Sequence, residues 1–184
     1  MPSKKGFTLI ELLIVIAIIG ILAAVVVLVL NPAQLLAQAR DSRRVQDLSN
    51  LNSAISTWLA DVTTTSWTAV WNCTSGTTAP GTTTACVAVT SRAVDGTGWV
   101  NINFNAMSSG TPIPILPLDP SNGSTCTSGQ APNVCLYSYH SSATFGQYKL
   151  YANMESSRYQ ANQAANDGGT LAGWYEIGTN MSGL

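Results

Sequence analysis

The strongest chemical signal in the sequence is Glu11, a carboxylate at the start of an otherwise uncharged apolar segment. Residues 12–30 contain no charged side chain and are rich in Ile, Val, Leu and Ala. A carboxylate in such a segment is energetically costly, so it indicates a functional role rather than a simple membrane anchor. The structural alternative is that Glu11, close to the end of the segment, extends its carboxylate to the membrane surface.

The cysteines are the second group whose chemistry can be predicted. The four are Cys73, Cys86, Cys126 and Cys135. Their even number, the absence of a Cys-x-x-Cys motif and the single histidine favour disulfides over a zinc site. Three pairings are open, and the spacing favours Cys73–Cys86 and Cys126–Cys135, each of which closes a short loop containing Gly and Pro. Such a loop closure stabilises a fold by about 3 kcal/mol in the entropic model.

Catalytic patterns are lacking in the sequence. It has one histidine, His140, and neither a Gly-x-Ser-x-Gly elbow nor a phosphate-binding loop. We therefore expect no enzyme activity and no cofactor, and we place His140 in a hairpin loop with an ordinary surface hydrogen bond. The net charge of −1 and the lack of a basic patch in the outer part of the chain do not support nucleic-acid binding.

The elements that position these residues begin with a long helix. Residues 12–30 are sufficient to cross a hydrocarbon core of ~30 Å. Lys4 and Lys5 precede them and should stay on the cytoplasmic side, so the rest of the chain faces outward. Asn31 and Pro32 then either restart the helix or kink it. Beyond them, apolar residues at spacings of three and four predict an amphipathic helix: Leu48, Leu51, Ile55, Leu59 and Val62.

Strand and turn patterns dominate from residue 63 onward. Alternation around Val100, Ile102 and Phe104 predicts a half-buried strand, and residues 136–139 and 147–154 predict a hairpin, the second strand of which should also be half-buried. Weaker strand candidates are residues 67–71 and 86–90, and a short apolar segment, residues 174–177, lies near the end of the sequence. The predicted fold class is α+β: a long N-terminal helix, with a membrane-spanning first half and an amphipathic second half, packed on a small antiparallel sheet with two disulfides.

The N-terminus resembles the type IV pilin and type II secretion pseudopilin family. In that family a short leader ends in Gly before Phe, and Thr-Leu-Ile-Glu follows, as at Gly6, Phe7 and the next four residues here. The resemblance implies that a prepilin peptidase cuts after Gly6 and N-methylates Phe7. It also implies that Glu11 pairs with the N-terminal amine of a neighbouring subunit. Gly20 and Ala24 form a small-xxx-small pair that suits close helix packing in lipid.

The same resemblance implies an organisation and a function. Residues 1–6 are the leader, 7–30 the transmembrane and assembly helix, 31–62 the amphipathic half of the stalk helix, and 63–184 the β-rich head. The implied role is a structural subunit of a type IV pilus for adhesion, motility or DNA uptake, assembled from identical subunits by an assembly platform. The protein would span the bacterial cytoplasmic membrane once before assembly and then lie in an extracellular surface filament.

Two other functions remain open from the sequence. One is a pseudopilin of a type II secretion or competence machine. The other is a monomeric membrane-anchored module that binds a ligand through its disulfide-containing head. Long surface filaments would favour the pilus, whereas retention of residues 1–6 in the native protein would favour the monomeric module.

The charged residues of the second helix resemble those of the pilin stalk. Arg40, Arg43 and Arg44 are interpreted as charges that meet acidic partners on neighbouring subunits. A DNA-binding role for them is the alternative, and the charge of the chain does not support it.

One further segment resembles the major pseudopilins. Residues 116–120, Leu-Pro-Leu-Asp-Pro, are similar to a turn of those proteins, which hold calcium in a nearby loop. Asp119, Asp167 and Glu176 are weak candidate calcium ligands. Calcium requires about six to eight oxygen ligands and the spacing defines no loop, so structural turn residues are the preferred interpretation.

Overall fold

A computed structural model of the chain describes residues 6–62, 67–81, 84–126 and 132–181, with the side chain of Leu28 excepted. The predicted leader apart from Gly6 lies outside the described residues, and so do Lys4 and Lys5. The chain divides into two compact units, residues 1–36 and residues 37–184.

Two long helices occupy the first third of the chain. Helix α1 spans Leu9–Leu30 and helix α2 spans Pro32–Asp61. Between them Asn31 adopts a left-handed conformation with φ of 40°, which asparagine tolerates better than most residues. Its carbonyl accepts hydrogen bonds from the backbone N–H groups of Gln34 and Leu35. Asn31 therefore ends α1, and Pro32, which lacks an N–H, starts a new helix at a favourable position.

The head contains a five-stranded sheet in the order β2-β1-β3-β4-β5. Its strands are β1 (Val70–Cys73), β2 (Val87–Ala88), β3 (Tyr137–Ser141), β4 (Tyr148–Asn153) and β5 (Trp174–Gly178). The predicted hairpin is confirmed as β3 and β4. The expectation of a wholly antiparallel sheet is wrong, because β1 and β2 pair in parallel. The 73–86 connection is long enough to return the chain and let it run beside β1 in the same direction.

Helix α2 and one face of the sheet form the main core. The predicted stripe is confirmed, with Leu48, Leu51 and Ile55 at most 1% exposed. They share one apolar cluster with Tyr139 and Leu150 of the strands. The stripe ends in Leu59 and Val62, which are partly buried against the same cluster. The amphipathic helix therefore buries its apolar side on the sheet, as an α+β fold requires.

The other face of the sheet is also covered, which the sequence did not predict. Alternation in β4 predicted exposure of Lys149, Tyr151 and Asn153, yet all three are buried. A second cluster covers this face and contains Tyr151, Trp174 and the cysteines Cys73 and Cys86. The disulfide-closed loop therefore supplies the cover that the alternation pattern does not reveal.

The prediction of a strand around Val100 is wrong, although the predicted alternation of buried and exposed residues is present. Val100, Ile102 and Phe104 are buried and alternate with exposed asparagines. Only an isolated bridge between Asp95 and Asn103 forms, and a 3-10 helix, Phe104–Ala106, follows at once. The other elements are a helical turn at Ser157–Tyr159, here α3, and a π-helical segment, Gln160–Ala164.

Candidate assembly site

Helix α1 is apolar on every side. A stretch of 19 residues, Leu9–Val27, has a mean hydropathy of 3.2, so it is long and apolar enough to cross a membrane by length and composition. Among the described residues, no other part of the chain covers the large apolar side chains of α1. Phe7, which lies just before the helix, is 88% exposed. Such a surface requires lipid or other protein chains to cover it.

Glu11 is held by a capping box at the start of α1. Its carboxylate accepts hydrogen bonds from the backbone N–H and the hydroxyl of Thr8, both at 2.8 Å. In return, the Thr8 hydroxyl accepts the backbone N–H of Glu11 at 3.3 Å. This arrangement satisfies two of the N–H groups that a helix start leaves free, and the negative charge suits the helix dipole.

The charge of Glu11 has no cationic partner within the part of the chain that the structure describes. Thr8 supplies neutral donors only, so the capping box orients the carboxylate without neutralising it. The arrangement leaves Glu11 able to accept an ammonium group from another molecule.

Two glycines of this segment are not required by the described fold. A side-chain carbon added at Gly6 or Gly20 would meet no other atom within 4 Å. Neither residue adopts the left-handed conformation that favours glycine. Among the described residues, neither packing nor backbone conformation therefore requires glycine at these two positions.

The structure contradicts the interpretation that all three arginines of α2 meet acidic partners on other subunits. Arg44 is fully buried and forms ion pairs with Asp41, Asp119 and Glu155 of its own chain. Arg40 pairs with the same Glu155. These five residues are here called the Arg44 network. Only Arg43 remains largely exposed, at 71% of its side chain, with a long contact of 3.8 Å to Asp47.

The three carboxylates of the Arg44 network outnumber its two guanidinium groups, and hydrogen bonds stabilise the excess negative charge. Asp41 accepts the backbone N–H groups of Glu155 and Ser156 at 2.9 and 2.7 Å. Burial alone would raise the pKa of Glu155, but its hydrogen bonds to Arg40 and Arg44 hold that pKa below its ordinary value. Burial also opposes the charge of Arg44, yet its acidic partners raise the pKa of this guanidinium. The ion pairs of the network join α2 to the head.

The three weak calcium candidates do not form one cluster, because Asp167 and Glu176 are in contact whereas Asp119 lies in the Arg44 network. Asp119 belongs to the Arg44 network, whereas Glu176 forms an ion pair of 2.8 Å with buried Lys149. Glu176 also accepts the N–H groups of residues 170 and 171, and Asp167 accepts those of Gly169 and Glu176. Burial raises the pKa of Asp167. These contacts agree with the interpretation of structural turn residues.

The cysteines form two disulfides, as the sequence predicted in number. Cys73 lies 13 residues from Cys86, and Cys126 lies 9 residues from Cys135. The two bonds are the local pairs that the spacing favours. The second bond lies beside the Arg44 network, with Cys135 Sγ 3.6 Å from Glu155 Oε1.

His140 is not in the hairpin loop where the sequence placed it. It lies within β3, and its ring stacks on Trp71 with a centroid distance of 4.1 Å. Its Nδ1 atom has no hydrogen-bond partner among the described residues, in contrast to the expected surface hydrogen bond. Burial, and to a smaller extent the charge of Lys149, lowers the pKa of His140.

Sequence reasoning missed the Arg44 network, although a signal was present. Asp41 and Arg44 continue the spacing of Leu48, Leu51 and Ile55, so they lie on the same stripe of α2. Charged residues on an apolar stripe indicate buried charges with partners. Their partners Asp119 and Glu155 are more than 70 residues away, which the sequence alone does not reveal.

The described residues combine an apolar helix long enough to cross a membrane, a capped carboxylate at its start and an α+β head, and this combination fits membrane anchoring. Residues 1–27 match the family model described as the prokaryotic N-terminal methylation motif. This motif is the prepilin leader of type IV pilins and pseudopilins, and it supports a pilin-like or pseudopilin protein. In general terms it implies filament assembly with a prepilin peptidase and an assembly machinery. No curated protein and no solved structure matches the chain.

Proposed function

We propose that the chain is the structural subunit of a type IV pilus. A peptidase cuts between Gly6 and Phe7, the new N-terminus is methylated, and identical subunits polymerise through residues 7–30. The observation that carries the proposal is the methylation motif of residues 1–27 on a helix whose apolar side chains have no cover within the chain.

Assembly in this proposal exchanges one apolar environment for another. Before assembly, lipid surrounds α1; afterwards, neighbouring copies of α1 do so. Dispersion contacts and close packing at small residues such as Gly20 and Ala24 favour helix association in this setting. Apolar packing alone sets no register along the helices, because similar aliphatic side chains recur throughout α1.

Glu11 supplies the register. The amine of Phe7 in a neighbouring subunit is the cation that its carboxylate lacks, and a charge-assisted hydrogen bond between them is strong in an apolar surrounding. The Thr8 capping box keeps the carboxylate in one orientation before the partner arrives. The subunit is therefore stored in the membrane with its connecting group already positioned.

The test separates the charge of Glu11 from its capping role. A capping box accepts Gln as well as Glu, so Glu11→Gln keeps the cap and removes the charge, whereas Glu11→Ala removes the charge and the side-chain half of the cap. We expect both variants to insert in the membrane and to be cleaved and methylated, yet to form no filaments. Electron microscopy and immunoblotting of sheared surface material measure filaments, and mass spectrometry of the N-terminal peptide measures processing.

The outcomes are distinct. Normal filaments from Glu11→Gln would refute the charge-pairing step. If filaments are lost in Glu11→Ala but not in Glu11→Gln, the capping contacts rather than the charge would be required for assembly. A wild-type protein that retains residues 1–6 would overturn the processing step. Wild-type subunits that form only short filaments, confined to the cell envelope, would assign the protein to the pseudopilins.

A further inference from the structure

A cleft of about 440 Å³ lies in the head. It is lined by Trp58 near the end of α2 and by Val62 just after that helix, and further along the chain by Trp67 and Thr68. The opposite side is formed by residues of the 95–106 segment. The cleft therefore combines the C-terminal end of a rigid helix with the irregular segment that replaces the predicted strand.

The base of the cleft is aromatic and fixed in position. Trp58 and Tyr139 are at most 5% exposed, whereas Trp67 is partly exposed. The rings of Trp58 and Trp67 lie 6.1 Å apart, and Phe145 packs edge-on against Trp67 at 5.4 Å. The indole N–H of Trp58 donates to the carbonyl of Asn103 at 2.9 Å. Trp67 is thus an indole held between other groups at the cleft.

The rim of the cleft carries oriented polar groups. Asp95 Oδ1 accepts the backbone N–H and the hydroxyl of Thr97 at 3.0 and 2.6 Å, which lowers the pKa of this exposed carboxyl. The amide nitrogen of Asn101 donates to the Thr68 hydroxyl at 3.1 Å. Asp95 Oδ2 and Asn101 Oδ1 have no hydrogen-bond donor among the described residues, so both oxygens are free to accept one from a ligand.

The chemistry of the cleft selects among ligand classes. A purely apolar ligand would remove Asp95 from water without compensation, which is costly. An anionic ligand would meet the negative charge of Asp95, and no Lys, Arg or His lines the cleft among the described residues. A pyranose ring has an apolar C–H face that suits an indole and hydroxyl groups that donate to carboxylate and amide oxygens.

We propose that this cleft binds a neutral saccharide unit, with Trp67 against the sugar ring and with Asp95 and Asn101 accepting its hydroxyl groups. The cleft volume lies within the range of small-molecule sites, which commonly start at ~300 Å³. It therefore suits a ligand of one to two sugar rings. The proposal does not depend on filament formation, because the site lies within one head. Its test therefore uses the monomeric full-length chain.

The experiment measures binding in micelles of a detergent that has no sugar headgroup. The probes are D-galactose, D-glucose, N-acetylglucosamine and N-acetylgalactosamine, with sialic acid and glucose 6-phosphate as anionic counterparts. Saturation-transfer NMR and quenching of tryptophan fluorescence report binding. We expect at least one neutral sugar to bind with a dissociation constant near ~1 mM, as befits a few hydrogen bonds and one stacked ring, and the anionic sugars to bind at least about tenfold more weakly.

The variants locate the site. Asp95→Asn and Asn101→Ala change exposed residues, and each should weaken binding by about two- to tenfold, the effect of one lost hydrogen bond. Asn162→Ala is the matched control, an exposed asparagine that does not line the cleft, and should bind as the wild type does. Circular dichroism verifies that all three variants are folded.

Three results would overturn the proposal. One is the absence of saturable binding by every neutral sugar up to ~20 mM. Another is equal binding by the anionic sugars, which would contradict the role of Asp95. The third is unchanged binding in both cleft variants, which would place the sugar elsewhere. None of these results bears on the Glu11 mechanism, and failure of filament assembly in Glu11→Gln would not bear on sugar binding.

Discussion

Glu11 and Arg44 are both charged residues among apolar neighbours on a helix, yet the chain satisfies them in opposite ways. Arg44 is fully buried, and three carboxylates of the same chain surround it. Glu11 is exposed and is held only by the neutral groups of Thr8. Arg44 is thus a charge that the fold itself neutralises, whereas Glu11 is a charge that the fold only orients among the described residues.

The energetic difference between the two sites is large. Taking charges out of water costs several kcal/mol per ion, and good geometry must compensate for it. In the Arg44 network, direct ion pairs and backbone N–H donors provide that compensation. At Glu11 no such burial occurs within the described residues, because the carboxylate stays exposed; in the proposed filament, an amine of another subunit would supply its cation. Changes at Arg44 should therefore alter head stability, and changes at Glu11 should alter assembly alone.

The largest expected effect is that of Arg44→Met. It leaves three buried carboxylates without their shared cation, so the free energy of unfolding should fall by about 3–5 kcal/mol. Arg44→Lys keeps the charge but not the forked geometry and should lose less. Urea unfolding of the full chain in micelles, followed by tryptophan fluorescence, measures both.

Arg43→Met is the matched control for this change. Arg43 lies one residue away on α2 and is largely exposed, so its substitution should alter stability by no more than about 0.5 kcal/mol. Equal losses at residues 43 and 44 would break the distinction between buried and exposed charges. Arg44→Met should also leave cleavage after Gly6 intact, because processing concerns the other unit of the chain.

A somewhat smaller effect is expected from the disulfides. Their loop lengths are similar, so chain entropy predicts a loss of about 3 kcal/mol for either double Cys→Ala variant. The Cys126–Cys135 bond also contacts Glu155 of the Arg44 network, whereas Cys73–Cys86 belongs to the second apolar cluster. A larger loss for the Cys126/Cys135 variant would show that this bond supports the network.

Two further measurements test this comparison: the connectivity of the cysteines, and the energetic coupling between the Cys126–Cys135 bond and the Arg44 network. Non-reducing peptide mapping of the wild type should find Cys73 joined to Cys86 and Cys126 joined to Cys135. Combining the Cys126/Cys135 variant with Arg44→Met should give less than the sum of the two losses. Strict additivity would instead show that the bond and the network act independently.

The smallest effect is the response to acid. The pKa of Glu155 in the folded chain lies below its ordinary value of 4.5. Its ionised form therefore contributes stability above pH 4.5, and that contribution is lost as the pH falls through the folded-state pKa. The urea midpoint of the wild type should decrease on acidification in this range. Glu155→Gln should be less stable at pH 7 and show a shallower decrease, and an unchanged acid slope would exclude Glu155 as its source.

The sequence predicted the elements that rest on local patterns. The uncharged run of α1, the 3.6-residue stripe of α2 and the β3–β4 hairpin each follow from neighbouring residues, and the structure contains all three. The break at Asn31 and Pro32 was also predictable, because a residue that tolerates a left-handed conformation precedes one without an N–H.

The features that sequence reasoning missed depend on distant residues. The parallel β1–β2 pair arises from the path of the disulfide-closed connection, and the burial of β4 on both faces arises from the second cluster. Arg44 was assigned to partners on other subunits because its own partners lie far along the chain. At Glu11 the local capping contacts follow from the Thr-x-x-Glu pattern, whereas the partner that we propose for it belongs to another molecule.

Asn31 has a consequence for cooperativity. The backbone N–H of Gln34 bonds to Asn31 rather than to Leu30 of α1, and Pro32 contributes no N–H. Helical order consequently does not propagate through this point, since propagation needs a continuous series of backbone hydrogen bonds. Helix α2 can therefore gain its order from the head during folding, while α1 gains its order from whatever surrounds it, and each can melt without drawing the other along.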